Sequence, residues 1–209
     1  RLNLGLGELF PEVGVEENEL NRQLAQAEFN FILREYQKAE EILDKIDSTL
    51  LIEPRQHWYY DYLKGYVIAL KKGTTAEAFF YFNRIIDEAP KEEMEIMVLL
   101  AYTGMGLLYE NIGEIQKAEY FFNKAITDVY RYPIKETHDI WRLLNIMYYC
   151  GSFYANIEDY QTSDALLTHG VKICSDNHVT YYLARMTFQL AKNAVAQNKD
   201  CYEIMDLYY

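Results

Sequence analysis

Apolar residues along this chain recur at three- and four-residue intervals over long stretches, the period of a helix with one buried face. The pattern is clearest between Leu99 and Tyr132. A first helix there puts Tyr102, Met105, Gly106 and Tyr109 on one face, and Asn111, Ile112 and Gly113 make a turn. A second helix then brings Ala118, Phe122 and Ala125 back toward the first. The large residues fill the space between the two helices, while Gly106, Ala118 and Ala125 let the backbones approach.

This small-large alternation is similar to the tetratricopeptide (TPR) pattern, whose unit is about 34 residues and cannot bury its apolar face alone. Copies should therefore flank it, and they do. Upstream, Leu20, Leu24, Ala27 and Phe31 form a helical stripe, and Tyr36, Ala39 and Leu43 fall on Ile115, Ala118 and Phe122. In the next copy Gly65 takes the place of Gly106, Lys72-Gly73 makes the turn, Ala78, Phe82 and Ile85 follow, and Pro90 stops the helix. Downstream, Gly151 falls on Gly106, Tyr154 on Tyr109, Ser163 on Ala118, Leu167 on Phe122 and Gly170 on Ala125. The extra length before this copy lies around Arg131 to Asp139, where Pro133 breaks the helix. A fifth pair begins near Val179, carries Leu190-Ala191 and Ala194, and runs into Asp200 to Tyr209 as an atypical terminal repeat. Equivalent small residues lie 38 (Ala27 to Gly65), 41 (Gly65 to Gly106) and 45 (Gly106 to Gly151) residues apart, so the helices are longer than standard. The expected fold is all-α: about five TPR-like helix pairs, ten to eleven helices and no strand, stacked as a right-handed superhelical solenoid over residues 13–209. The first helix of each pair lines its concave face.

Composition agrees with this and narrows the function. Half of the 209 residues are apolar with only ten Gly and four Pro, which favours long helices over a many-turned β fold. The formal net charge of −12 repels phosphate backbones, so this stretch is a poor nucleic-acid binder by itself but suits a neutral or cationic peptide. No run of about 18 apolar residues marks a membrane span, and no signal peptide is visible. Cys150, Cys174 and Cys201 are an odd count without CxxC spacing, which reads as reduced thiols in a cytoplasmic protein. The chain opens on Arg1 rather than Met, as expected of a fragment of a longer polypeptide.

Catalytic patterns are absent. There is no Gly-rich phosphate loop and no GxSxG, and His57, His138, His169 and His178 lack HxxxH spacing. Glu40-Glu41 and Glu92-Glu93 read as solvated helix faces. No enzyme, no metal and no cofactor is expected.

The inner face is the more informative surface. The side of each first helix opposite its packing residues carries Tyr59, Tyr62 and Tyr66 in the second pair, and Leu100, Thr103, Leu107 and Glu110 in the third. It carries Asn145, Tyr148, Ser152 and Asn156 in the fourth pair, and Arg185, Phe188, Gln189 and Lys192 in the fifth. The first pair offers Leu24, Glu28 and Phe31. Amides and hydroxyls among apolar pockets are what an extended peptide needs. The predicted peptide-binding set is therefore Tyr59, Tyr62, Tyr66, Thr103, Leu107, Glu110, Asn145, Tyr148, Ser152, Arg185, Phe188, Gln189 and Lys192. Tyr62, Tyr66 and Tyr148 serve equally well as helix-packing residues, and Arg185 and Lys192 as partners of neighbouring acids. Asn145 fits a packing role less well, because a mid-helix Asn has low helix propensity and packs poorly in an apolar seam.

Residues 1–12, RLNLGLGELFPE, resemble the end of a lambda-repressor-like helix-turn-helix domain, with Leu2-Asn3 before a polar turn and Leu9-Phe10 closing a last helix. Gly5 stands where that family usually has Ser or Thr. An ordinary N-terminal helix or tail accounts for the same residues. Such a tail followed by overlong TPR-like repeats resembles the peptide-pheromone-responsive transcription regulators of Gram-positive bacteria, the PlcR, NprR and Rgg types. The resemblance implies quorum sensing: a homodimeric regulatory domain that binds a short imported signalling peptide in its concave groove. An N-terminal domain missing here would bind DNA. It also implies that Asn145 meets the peptide backbone. A plain TPR protein-protein scaffold is the alternative, as is a Rap-type peptide-regulated phosphatase or response-regulator inhibitor.

Overall fold

The computed structural model describes residues 19–71, 74–90, 95–134 and 136–199. The proposed helix-turn-helix remnant, the Lys72-Gly73 turn, Glu92-Glu93, Cys201 and the second helix of the fifth pair lie outside them. The described residues form nine α-helices and no strand. They are α1 (Glu19–Ile32), α2 (Tyr36–Leu43), α3 (Pro54–Leu70), α4 (Thr75–Glu88), α5 (Ile96–Asn111), α6 (Ile115–Val129), α7 (Thr137–Asn156), α8 (Tyr160–Asp176) and α9 (Leu183–Ala196). A 3-10 turn, Ser48–Leu50, joins α2 to α3. The fold is all-α, as the periodicity predicts.

Local chemistry sets the helix ends. Pro54 occupies the first turn of α3, where its missing N–H costs nothing, and Glu53 and Gln56 bond each other's backbone in a capping box. Glu136 and Asp139 do the same for α7. Asp159 caps α8 by accepting from the Thr162 N–H at 3.1 Å. The turns inside the first, third and fourth pairs share one device, a residue in the left-handed region just past the first helix. Gly113 fills it after α5 with φ 80°, while Arg34 and Glu158 fill it after α1 and α7 with φ 64°.

Within the second, third and fourth pairs the small-large code works as read. A Cβ on Gly65 would lie 2.6 Å from the Phe82 ring, one on Gly106 2.8 Å from the Phe122 ring, and one on Gly151 2.7 Å from Leu167. Phe82 also presses on Gly104 of α5, so it locks its own pair to the next one. Tyr102 and Tyr109 pack on Phe121, as expected of residues between helices.

Pairs stack in one direction. The first helices α1, α3, α5, α7 and α9 each pack on the next, and each second helix packs on its own partner and on the following first helix. First helices are therefore enclosed: 11 of the 16 residues of α5 are buried, but only Ala78, Phe82 and Ile85 of α4. The first helices form the inner layer, and it curls back on itself. Side chains of α1 reach α7, and Arg185 of α9 donates to the Ile32 carbonyl at the end of α1, 3.1 Å away.

Candidate functional site

The inner layer has a filled half and an open half. The filled half is made by the middle and C-terminal portions of α1, α3, α5 and α7, with Tyr182 just before α9. Phe31 meets Tyr62 and Tyr66 edge-on at 6.0 and 5.6 Å, Tyr66 lies 6.2 Å from Tyr149, and Tyr148 lies 6.0 Å from Tyr182. The Tyr66 hydroxyl donates to the Leu100 carbonyl at 3.0 Å, and Asn145 Nδ2 to the Tyr182 hydroxyl at 3.2 Å. Burial pushes the phenols of Tyr62 and Tyr66 well above the usual tyrosine range, so both stay neutral.

The open half is a cavity of about 600 Å³ between the N-terminal portions of the same helices. Asn21 and Ala25 of α1 line it, with Arg55, Gln56 and Tyr59 of α3 and the preceding Glu53. Ile96 and Met97 of α5 contribute with Glu95 before them, and His138, Asp139 and Arg142 of α7 with Tyr132, Pro133 and Glu136.

Glu28 sits at the boundary of the two halves, fully buried on α1. Arg142 grips it with two bonds, Nε to Oε1 at 2.9 Å and Nη2 to Oε2 at 3.1 Å. His138 Nδ1 lies 3.2 Å from Oε2, and the Tyr59 hydroxyl donates to the same oxygen. The Arg142 guanidinium also lies over the Tyr59 ring, 4.7 Å from its centroid. Burial by itself would raise the Glu28 pKa. The Arg142 charge and the hydrogen bonds from His138 and Arg142 outweigh it and hold the carboxyl at about 2, so Glu28 is ionised at neutral pH. Burial and the Glu28 charge push the Tyr59 phenol up, which keeps it a donor.

The cavity carries an excess of negative charge. Glu53, Glu95, Glu136 and Asp139 face Arg55 and Arg142, and Glu28 already neutralises the latter. Burial, with the Asp139 and Glu95 carboxylates nearby, pushes the Tyr132 phenol up to about 12.

Of the predicted peptide-binding residues, only Tyr59 lines this cavity. Tyr62, Tyr66, Thr103, Leu107 and Asn145 are buried in the filled half and present no surface to a ligand in this conformation. Thr103 is spent on the Leu99 carbonyl at 2.9 Å. Glu110 accepts from Asn156 at 2.9 Å. Tyr148 is half-buried against Tyr149 and Tyr182. Ser152 Oγ and Asn145 Oδ1 are buried without a hydrogen-bond partner among the described residues. Arg185 lies over Tyr182 and reaches α1, while Phe188 is 69% exposed away from the cavity. Gln189 bonds Asn193 and Lys192 bonds Gln189, so neither joins the site.

The cavity lies one to two turns upstream on the helix faces that the sequence singles out. Arg142 and His138 precede Asn145 by three and seven residues, and Arg55 precedes Tyr59 by four. Extending each stripe toward its helix start finds them. Among the described residues no cluster of His, Cys, Asp or Glu is arranged to hold a metal ion, and no helix is long and apolar enough to cross a membrane.

No protein-family model, curated protein or solved structure matches this chain.

Proposed function

We propose that this chain is the peptide-sensing regulatory domain of a homodimeric, cytoplasmic DNA-binding transcription regulator of the peptide-pheromone-responsive class. The observation that carries the reading is the inner-face cavity, to which four successive first helices or the segments leading into them contribute. Its volume of about 600 Å³ falls within the range of ligand pockets. Asn21 and Gln56 bond each other at 2.8 Å, an amide pair that a peptide group can replace. Tyr59, Tyr132, Ile96 and Met97 supply apolar surface for side chains, and the carboxylate excess favours a neutral or cationic peptide. Asn21 and Ala25 belong to the first described helix, so a ligand here touches the element that follows the proposed DNA-binding segment. Such a ligand shifts the array only as far as it binds two arrangements unequally.

Affinity selection from a randomised hexapeptide mixture, read by mass spectrometry, tests the reading. Peptides should be retained and should raise the melting temperature, and Gln56→Ala or Tyr59→Ala should abolish both effects. Retention of no peptide, or full retention by both variants, overturns it.

A protein-docking scaffold is the second reading. It is favoured by Phe80 and Tyr120, equivalent positions on α4 and α6 that are 57% and 56% exposed beside Arg84 and Lys124.

A further inference from the structure

We propose that the Glu28–Arg142 pair is a gate: closed, it floors the cavity and ties the first helix pair to the fourth; released, it opens the inner face from the cavity to Asn145. Three observations carry this. First, the pair lies at the border of the two halves. On α1 the cavity residues Asn21 and Ala25 precede Glu28, and the packed Phe31 follows it. On α7 the cavity residues His138 and Asp139 precede Arg142, and the buried Asn145 follows it.

Second, every side chain that holds Glu28 lines the cavity, while Glu28 itself lies behind the wall. A ligand group that takes Arg142, His138 or Tyr59 therefore acts directly on the closure. Third, the tie is made between the ends of two long side chains across 114 residues of sequence, whereas α1 is stacked on α2 and α3. The carboxylate and guanidinium can part without unstacking a helix, and the Arg185 bond to Ile32 holds the far end of α1 meanwhile. Opening would uncover the orphaned Asn145 Oδ1 and the rings of Tyr62 and Tyr66 as a continuation of the cavity. The gate rests on the peptide reading only for what draws it open.

Two thiols report on it in the chain as it is, with no peptide added. Cys150 is buried on α7 just past Asn145, close to Tyr66 and Thr103, and Cys174 is buried on α8. Alkylation by iodoacetamide, mapped by mass spectrometry, is compared in the wild type, Arg142→Gln and Arg142→Glu. The expected result is a labelling rate at Cys150 that rises about tenfold more than the rate at Cys174 for Arg142→Glu, and by less for Arg142→Gln, because local opening exposes one region beyond what global destabilisation exposes everywhere. An equal rise at both thiols means global destabilisation alone and overturns the gate, and so does no change at Cys150. Peptide selection can fail while this result holds, and the reverse is equally possible, so the two readings are separable.

Discussion

Glu28 of α1 and Arg142 of α7 are 114 residues apart in sequence and share two hydrogen bonds in the buried inner layer. His138 and the Tyr59 hydroxyl also contact Glu28, but removing either member of the pair leaves the other buried without its ionic partner. Such a loss typically costs about 3–5 kcal/mol, whereas replacing both partners by apolar groups of similar volume is often near neutral. Glu28→Gln or Arg142→Met should therefore destabilise the protein by about 3–5 kcal/mol in urea unfolding. Glu28→Leu combined with Arg142→Met should recover most of that loss. Equal losses in single and double variants would show that the pair is not the source.

The same carboxylate makes stability pH-dependent. Its pKa is lowered from 4.5 to about 2 on folding, so its contribution is present above pH 4.5 and is lost as pH falls through 2. A shift of this size corresponds to about 3 kcal/mol, at 1.36 kcal/mol per unit. Acid titration of the unfolding free energy should lose about that much more in the wild type than in Glu28→Gln over the same range.

Gly106 is required for space. A methyl group there would meet three atoms of the Phe122 ring at 2.8 Å, and Phe122 is itself stacked on Phe153 at 4.5 Å. Gly106→Ala should cost about 1–3 kcal/mol, the usual range for an overfilled core. Adding Phe122→Leu should relieve part of it, measured by the same unfolding curves.

Glu158 is a non-glycine residue held at φ 64° after α7, where Gly113 serves the equivalent turn after α5. Left-handed backbone costs an L-residue about 1 kcal/mol that glycine avoids, less the extra entropy glycine loses on folding. Glu158→Gly should raise stability by about 0.5 kcal/mol, a gain of a degree or more in the melting temperature. A fall would show that the Glu158 side chain contributes more than its backbone costs.

The repeat code was legible in the sequence because it is local. Gly65 with Phe82, Gly106 with Phe122 and Gly151 with Leu167 are contacts between a helix and the one that follows it, so their spacing is fixed by helix length and turn. The all-α class and the helix pairs follow from the same short-range rules. How far the stack curls is not local: it accumulates from the packing of each pair on the next. That curl buries Tyr62 and Tyr66, which the sequence alone offers equally as groove or as core, and Thr103 and Asn145, which it offers as groove. It also brings Glu28 to Arg142 and leaves the opening at Tyr59 and, one to two turns upstream of the singled-out residues, at Arg55 and His138. The sequence by itself determined the helix pairs and the small-large contacts that close them. Only the tertiary structure decided which part of the inner layer is filled and which is open, because that depends on the distance between helices that are not neighbours in the chain.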